Sequence, residues 1–223
     1  MHLPGARGVS AVPPGARAAV DRRIRYARAY RPQLNREALG AGKEMGEVLE
    51  IVAYDPAWPN AFSAERDRIA AVLRDLAVRI DHHGSTSVHG LAAKPIIDIQ
   101  VSVHRLQPIE DYAARLGWLG YLHVPHPDDS FCPFFYRPAG WPHTHHVHVV
   151  QSGGVEERRT LAFRDYLREH PRVVHEYEQL KRELALQYSA ETFGARQAYA
   201  AAKTNFVSRI TERALAEGFP RAL

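Results

Sequence analysis

The chain has 223 residues, 45% of them hydrophobic and 24% charged, which suffices for one sizeable core and excludes a wholly disordered polymer. No apolar run approaches the roughly 18 residues of a membrane-spanning helix, and Pro and Gly break up the first twenty residues, so no secretory leader is expected. The single cysteine, Cys132, excludes an intrachain disulfide and a cysteine-cluster zinc site and fits a cytoplasmic location.

The net charge of +4 is unevenly spread. Residues 1–45 hold nine Lys/Arg against three Asp/Glu, which leaves 20 against 22 for the remainder. A nucleic-acid-binding fold is expected to carry its basic stripe in the folded part, so this balance argues against a nucleic-acid partner. Residues 1–45 read as a disordered basic tail and residues 46–217 as one domain, with Met45 a candidate start.

Val48–Val52 reads as a strand, ended by Asp55-Pro56. Pro59 opens a helix whose Phe62, Ile69, Val72, Leu73 and Leu76 share one face. Val78–His82 is a short strand, Gly84–Pro95 a loop, and Ile96–Val103 a β-branched central strand. Pro108–Leu116 is helical and stops at Gly117. Tyr121–Pro142, dense in Pro, Gly and aromatics, suggests a hairpin arm with Phe131–Arg137 as one strand, and His145–Gln151 is another strand. Three amphipathic helices follow, over Val155–His170, Pro171–Ser189 and Arg196–Glu217. This order predicts an α+β fold, α/β-like in its layering, with a mixed sheet first and a helical half after it.

Three constellations carry chemistry. In His82-His83-Gly84-Ser85-Thr86-Ser87, glycine allows close backbone approach, and backbone N–H groups and hydroxyls converge as phosphate oxygens require. Lys94 adds a positive point charge, and Asp98 then enters an apolar strand, where a buried carboxylate needs a partner: a metal ion, Lys94 or a backbone cap. In His143-Thr144-His145-His146-Val147-His148, strand alternation puts His146 and His148 on one face, where paired imidazoles suit a metal or a phosphate. Arg164 and Arg168 share a helical face and, with Lys181 and Lys203 further on, form a further candidate anion contact, Arg164 foremost.

These residues also carry a resemblance. Tyr54-Asp55-Pro56-Ala57-Trp58-Pro59, the His82 to Asp98 stretch, His146-Val147-His148-Val149, Phe163–Arg168 and the Ala202–Phe206 segment together resemble the GrpB family over roughly residues 48–210. His83 departs from the aliphatic residue usual there, and His89 from the usual proline. The resemblance implies a nucleotidyltransferase-like fold, in which Gly-Ser precedes a strand bearing two acids that hold metal ions. Here Asp98 is the first acid, and Gln100 stands where the second belongs.

The expected function is therefore binding of a nucleotide or other phosphorylated small molecule, with nucleotidyl transfer to a small acceptor as the enzymatic form. In that reading Gly84, Ser85, Thr86, Ser87, Lys94 and Arg164 meet phosphate, and Asp98 is the catalytic acid. Asp98, His146 and His148 hold a divalent metal, for which imidazole favours Zn²⁺ or Mn²⁺ over Mg²⁺. The missing second acid keeps open the alternative of an inactive nucleotide-sensing or partner-binding domain. Fusion of the family's domain behind dephospho-CoA kinase in some bacteria implies a coenzyme A context. The pattern G-x-x-x-x-G-K-[ST] is absent, so no kinase of that type is encoded here.

Overall fold

The computed structural model describes residues 50–188 and 193–221, so the expected basic tail lies outside the described residues. Helix α1 spans Trp58–Leu73. The Asp55 carboxylate accepts from the Ala57 N–H at 2.8 Å, and Pro59 sits in the first turn, where a missing N–H costs nothing. Its buried residues, Trp58, Glu65, Ile69 and Leu73, recur at helical spacing. Strands β1 (Ala77–His83) and β2 (Ile97–Val103) follow, then α2 (Glu110–Gly117). The remaining strands are β3 (Leu122–His123), β4 (Phe134–Arg137) and β5 (His145–Gln151). Four helices close the chain: α3 (Val155–Glu169), α4 (Pro171–Gln187), α5 (Phe193–Ala202) and α6 (Thr204–Ala216). No helix among the described residues is long and apolar enough to cross a membrane.

The five strands form one sheet in the order β1-β2-β5-β4-β3. Only β2 and β5 run parallel; the other pairings are antiparallel. Alternation gives the sheet two unlike faces. Ile97, Ile99, Val101 and Val103 of β2, Val147 and Val149 of β5, and Phe135 of β4 pack under α1 and α2 in the main core. The opposite face carries Asp98, Gln100 and Ser102 beside His146 and His148. Helix α3 lies against this second face, tied to it by Thr160, whose hydroxyl donates to Gln100 Oε1.

A second core joins α3, α4 and α6 through Ala162, Tyr166, Leu167, Val173, Tyr177, Ile210 and Ala214. Val88 and Leu91, from the loop after β1, are buried in it. The helical half therefore grips the loop that enters β2. Arg168 donates to the Ser87 carbonyl at 2.9 and 3.1 Å, Lys181 donates to the Ala92 carbonyl, and the Ala92 N–H donates to Glu178 at 3.2 Å.

Three expected elements differ. Of Val48–Val52, the described part forms a single bridge, Val52 with Ala93, and residues 48 and 49 lie outside the described range. The strand expected from Phe131 begins at Phe134, because Pro133 has no N–H for the ladder and its carbonyl instead receives Val149 N–H at 2.9 Å. The helix expected over Arg196–Glu217 is two helices that break at Lys203. The break lets the first pack through Tyr199 on Leu184 and the second through Ile210 and Ala214 on α3.

Glu65 is 3% exposed on the core face of α1. It accepts from Arg137 at 2.6 Å, Arg68 at 2.8 Å and Tyr121 at 3.0 Å. Removing one partner of such a buried set leaves the others uncompensated. Glu65→Ala should cost about 3 kcal/mol and Tyr121→Phe about 1 kcal/mol in urea unfolding. A Glu65→Ala protein with the wild-type midpoint would contradict this role.

Candidate metal centre

The register of two strands builds the site. Parallel pairing sets Asp98 opposite His146 and Gln100 opposite His148, all four on the same face. The Asp98 Oδ1 lies 3.2 Å from His146 Nδ1 and 3.9 Å from His148 Nε2. The three donor atoms all lie within 4.8 Å of one another. Ligands about 2.0–2.2 Å from a tetrahedral ion sit roughly 3.4 Å apart, so this triad can hold one metal ion and leave a position open. Two imidazoles and one carboxylate suit a transition ion better than Mg²⁺. Side-chain exposures of 27% for Asp98, 20% for His146 and 28% for His148 leave the group half-buried and reachable.

Asp98 finds its partners in the histidines. Burial pushes its carboxyl up, but the His146 hydrogen bond and the charges of His146, His83 and His148 outweigh that and hold it well below the usual carboxylate range. Each imidazole is also fixed from behind. The outer nitrogen of His146, Nε2, is 3.1 Å from His143 Nδ1, and that of His148, Nδ1, is 3.9 Å from Cys132 Sγ. Such outer partners set which ring nitrogen faces an ion. His143 is stacked on Tyr136 at 4.2 Å, and His83 meets His148 edge to face at 4.9 Å.

The loop before β2 touches this carboxylate. Gly84 has φ 68° and ψ −173°, a region open essentially to glycine alone. A Cβ there would stand 2.9 Å from the Asp98 Cβ and closer still to Oδ2. Backbone and carboxylate can be neighbours only because position 84 has no side chain.

The other expected phosphate contacts divide. The Ser85 hydroxyl lies near enough to the Tyr177 phenol to offset part of the rise that burial gives it. The Thr86 hydroxyl donates to the Ile96 carbonyl at 3.2 Å and lies 3.0 Å from His82 Nε2; that of Ser87 donates to the Gly84 carbonyl at 2.6 Å. These two hydroxyls shape the loop. Arg164, 8% exposed, donates to Asp165 at 2.7 Å, Asp81 at 3.2 Å and the His82 carbonyl at 3.1 Å. Its guanidinium braces α3 against β1, a long-range commitment invisible to helical spacing. Gln100 is fully buried against Thr160, so a second metal ligand at that position is absent by both chemistry and access. Lys94 bonds no oxygen of Asp98 but sits 4.4 Å over the Tyr199 ring. His143 and Cys132 are the contributors that the sequence left without a role, whereas Lys203, grouped there with Arg164 as a candidate anion contact, stands 4.3 Å from the centroid of the Tyr199 ring.

Gly84→Ala should destabilise the protein by about 1–3 kcal/mol from backbone strain and should displace Asp98 as well. A variant with wild-type stability and unaltered metal affinity would contradict the close approach. The histidines also set an acid limit. Burial holds His82, His143 and His145 each down at about 4, from an ordinary 6.5. The unfolded chain takes these protons first, so stability is full above pH 6.5 and falls as pH drops toward 4. For the buried His82 the loss is on the order of 3 kcal/mol below its folded pKa. Urea midpoints from pH 7.5 to 4 should fall, and fall less steeply in His82→Gln; equal slopes would count against His82.

Comparison with known proteins agrees with this architecture. The chain is 35% identical to a UPF0157 protein of Bacillus subtilis over 63% of its own length, a match spanning only 40% of that relative. It is 37% identical to a UPF0157 protein of Halalkalibacterium halodurans over 82% of this chain and 90% of the other. The crystal structure of conserved protein GrpB from Enterococcus faecalis superposes with a TM-score of 0.67 at 31% identity, over 75% of this chain and 98% of that one. A shorter likeness, 37% over 79 residues, links 34% of the chain to 19% of a dephospho-CoA kinase of Mycobacterium tuberculosis. The model of the GrpB protein family matches residues 48–213, so the chain belongs to the GrpB family.

Proposed function

We propose that this protein binds a nucleotide through a single transition-metal ion held by Asp98, His146 and His148. The observation that carries the reading is the donor triad, with Gly84 pressed against its carboxylate at the mouth of a Gly-Ser loop. An ion there would draw in an anionic ligand and meet phosphate oxygens at its open position. Ser85 and Lys94 are the loop's contributions to that ligand, while Thr86, Ser87 and Arg164 keep the loop in shape. Nucleotidyl transfer at the same site is the second reading, favoured by the place of Asp98 in the strand that follows the Gly84-Ser85 loop. Gln100 limits it to a one-ion form, since a two-ion clamp needs a further carboxylate. The partial likeness to dephospho-CoA kinase supports a coenzyme A precursor among the nucleotides to be tried.

Melting temperature measured against a nucleotide panel, with and without Mn²⁺, Zn²⁺ and Mg²⁺, tests the proposal. Mn²⁺ or Zn²⁺ should raise it more than Mg²⁺, and a nucleotide should raise it further only with the ion present. Asp98→Asn and His146→Ala/His148→Ala should lose at least about tenfold in metal affinity. Equal metal content in wild type and double variant would overturn it. Pyrophosphate release from nucleoside triphosphates separates transfer from binding.

A further inference from the structure

We infer that Lys94 and Lys203, brought together across one tyrosine ring beside Asp98, form an anion pocket that takes the terminal phosphates of a polyphosphate ligand. The inference rests on the nucleotide reading of the neighbouring metal centre and extends it to a second, metal-independent subsite. Lys94, from the loop entering β2, lies 4.4 Å from the centroid of Tyr199, and Lys203, at the break between α5 and α6, lies 4.3 Å from the same centroid. The two ammonium groups are therefore no further apart than those two distances together allow. Tyr199 itself is 1% exposed, so the ring is a fixed support rather than a mobile flap.

Like charges so placed repel unless something answers them. Among the described residues, the one carboxylate that acts on either lysine is Asp98, which the histidines already engage. Burial and the neighbouring Lys203 bring Lys94 down to about 7, and burial brings Lys203 down to about 8. Arg196 also acts on Lys94 and stands 4.6 Å over Trp141, so a third cation borders the pocket. Lys181 makes the contrast plain. It too is buried, but it donates to the Ala92 carbonyl and lies on Tyr177, which gives it a structural partner. Lys94 and Lys203 have an aromatic face, which attracts a cation without neutralising it. Two compact ammonium charges beside a metal triad match a chain of phosphates, in which one group meets the ion and the next meets the lysines.

Inorganic tripolyphosphate, titrated calorimetrically into the full chain in EDTA and low salt, tests this without any metal. The wild type should bind it, and Lys94→Met and Lys203→Met should each bind at least about tenfold more weakly. Because each substitution removes one of two crowded like charges, neither should lower the melting temperature in the absence of phosphate. Asp98→Asn should lose metal yet retain tripolyphosphate, so failure of the metal proposal and failure of this one are distinguishable. Should either lysine variant fold poorly, acetylation of the wild type followed by mass spectrometry supplies the answer. Tripolyphosphate should protect Lys94 and Lys203 from the reagent. Undiminished binding by the folded variants, or unchanged acetylation of both lysines, would overturn the inference.

Discussion

The parallel pairing of β2 with β5 is the constraint on which the centre of this protein depends. Its register puts Asp98 beside His146 and, on the other face, Ile99 beside Val147. A slip of β2 by one residue would drive the carboxylate, and a slip of β5 the two imidazoles, into the core beneath α1, and would turn that strand's aliphatics to the opposite face. The apolar burial that stabilises the sheet therefore also holds the donor triad in place. Gly84 adds the second restraint, since its backbone occupies space beside Asp98 that any side chain would need.

The helical half acts mainly as a clamp on the loop between β1 and β2. Val88 and Leu91 give that loop its own apolar anchors, while Arg168, Lys181 and Glu178 satisfy its backbone groups. Orphaned backbone polar groups in a buried loop are costly, so these charged side chains have structural work to do. Arg164 belongs with them, stitching α3 to β1. Lys94 and Lys203 are placed differently, both over the ring of Tyr199.

Gln100, where the resemblance to nucleotidyltransferases implies an acid, is buried under Thr160. A carboxylate there would be desolvated beside a threonine, whereas the amide oxygen accepts the hydroxyl without a charge to compensate. The triad of Asp98, His146 and His148 could thus hold one ion, and position 100 offers it no further ligand. Its outer support, His143 and Cys132, comes from the irregular segments that flank β4 and β5.

The sequence by itself determined what local periodicity and residue chemistry can encode. Alternation in His145–Gln151 placed His146 and His148 together, the β-branched run around Asp98 marked a central strand, and Gly84-Ser85 marked a loop of close approach. The mixed sheet followed by a helical half was legible from element order for the same reason. Tertiary structure decided what depends on partners distant in the chain. It committed Arg164 to Asp81, turned the Thr86 and Ser87 hydroxyls inward, sealed Gln100 under Thr160, broke the last helix at Lys203, and carried that lysine to the ring that Lys94 also covers. Which partner a polar side chain takes is settled by three-dimensional packing over separations of 80 residues and more, as between Asp81 and Arg164, and no local pattern records it.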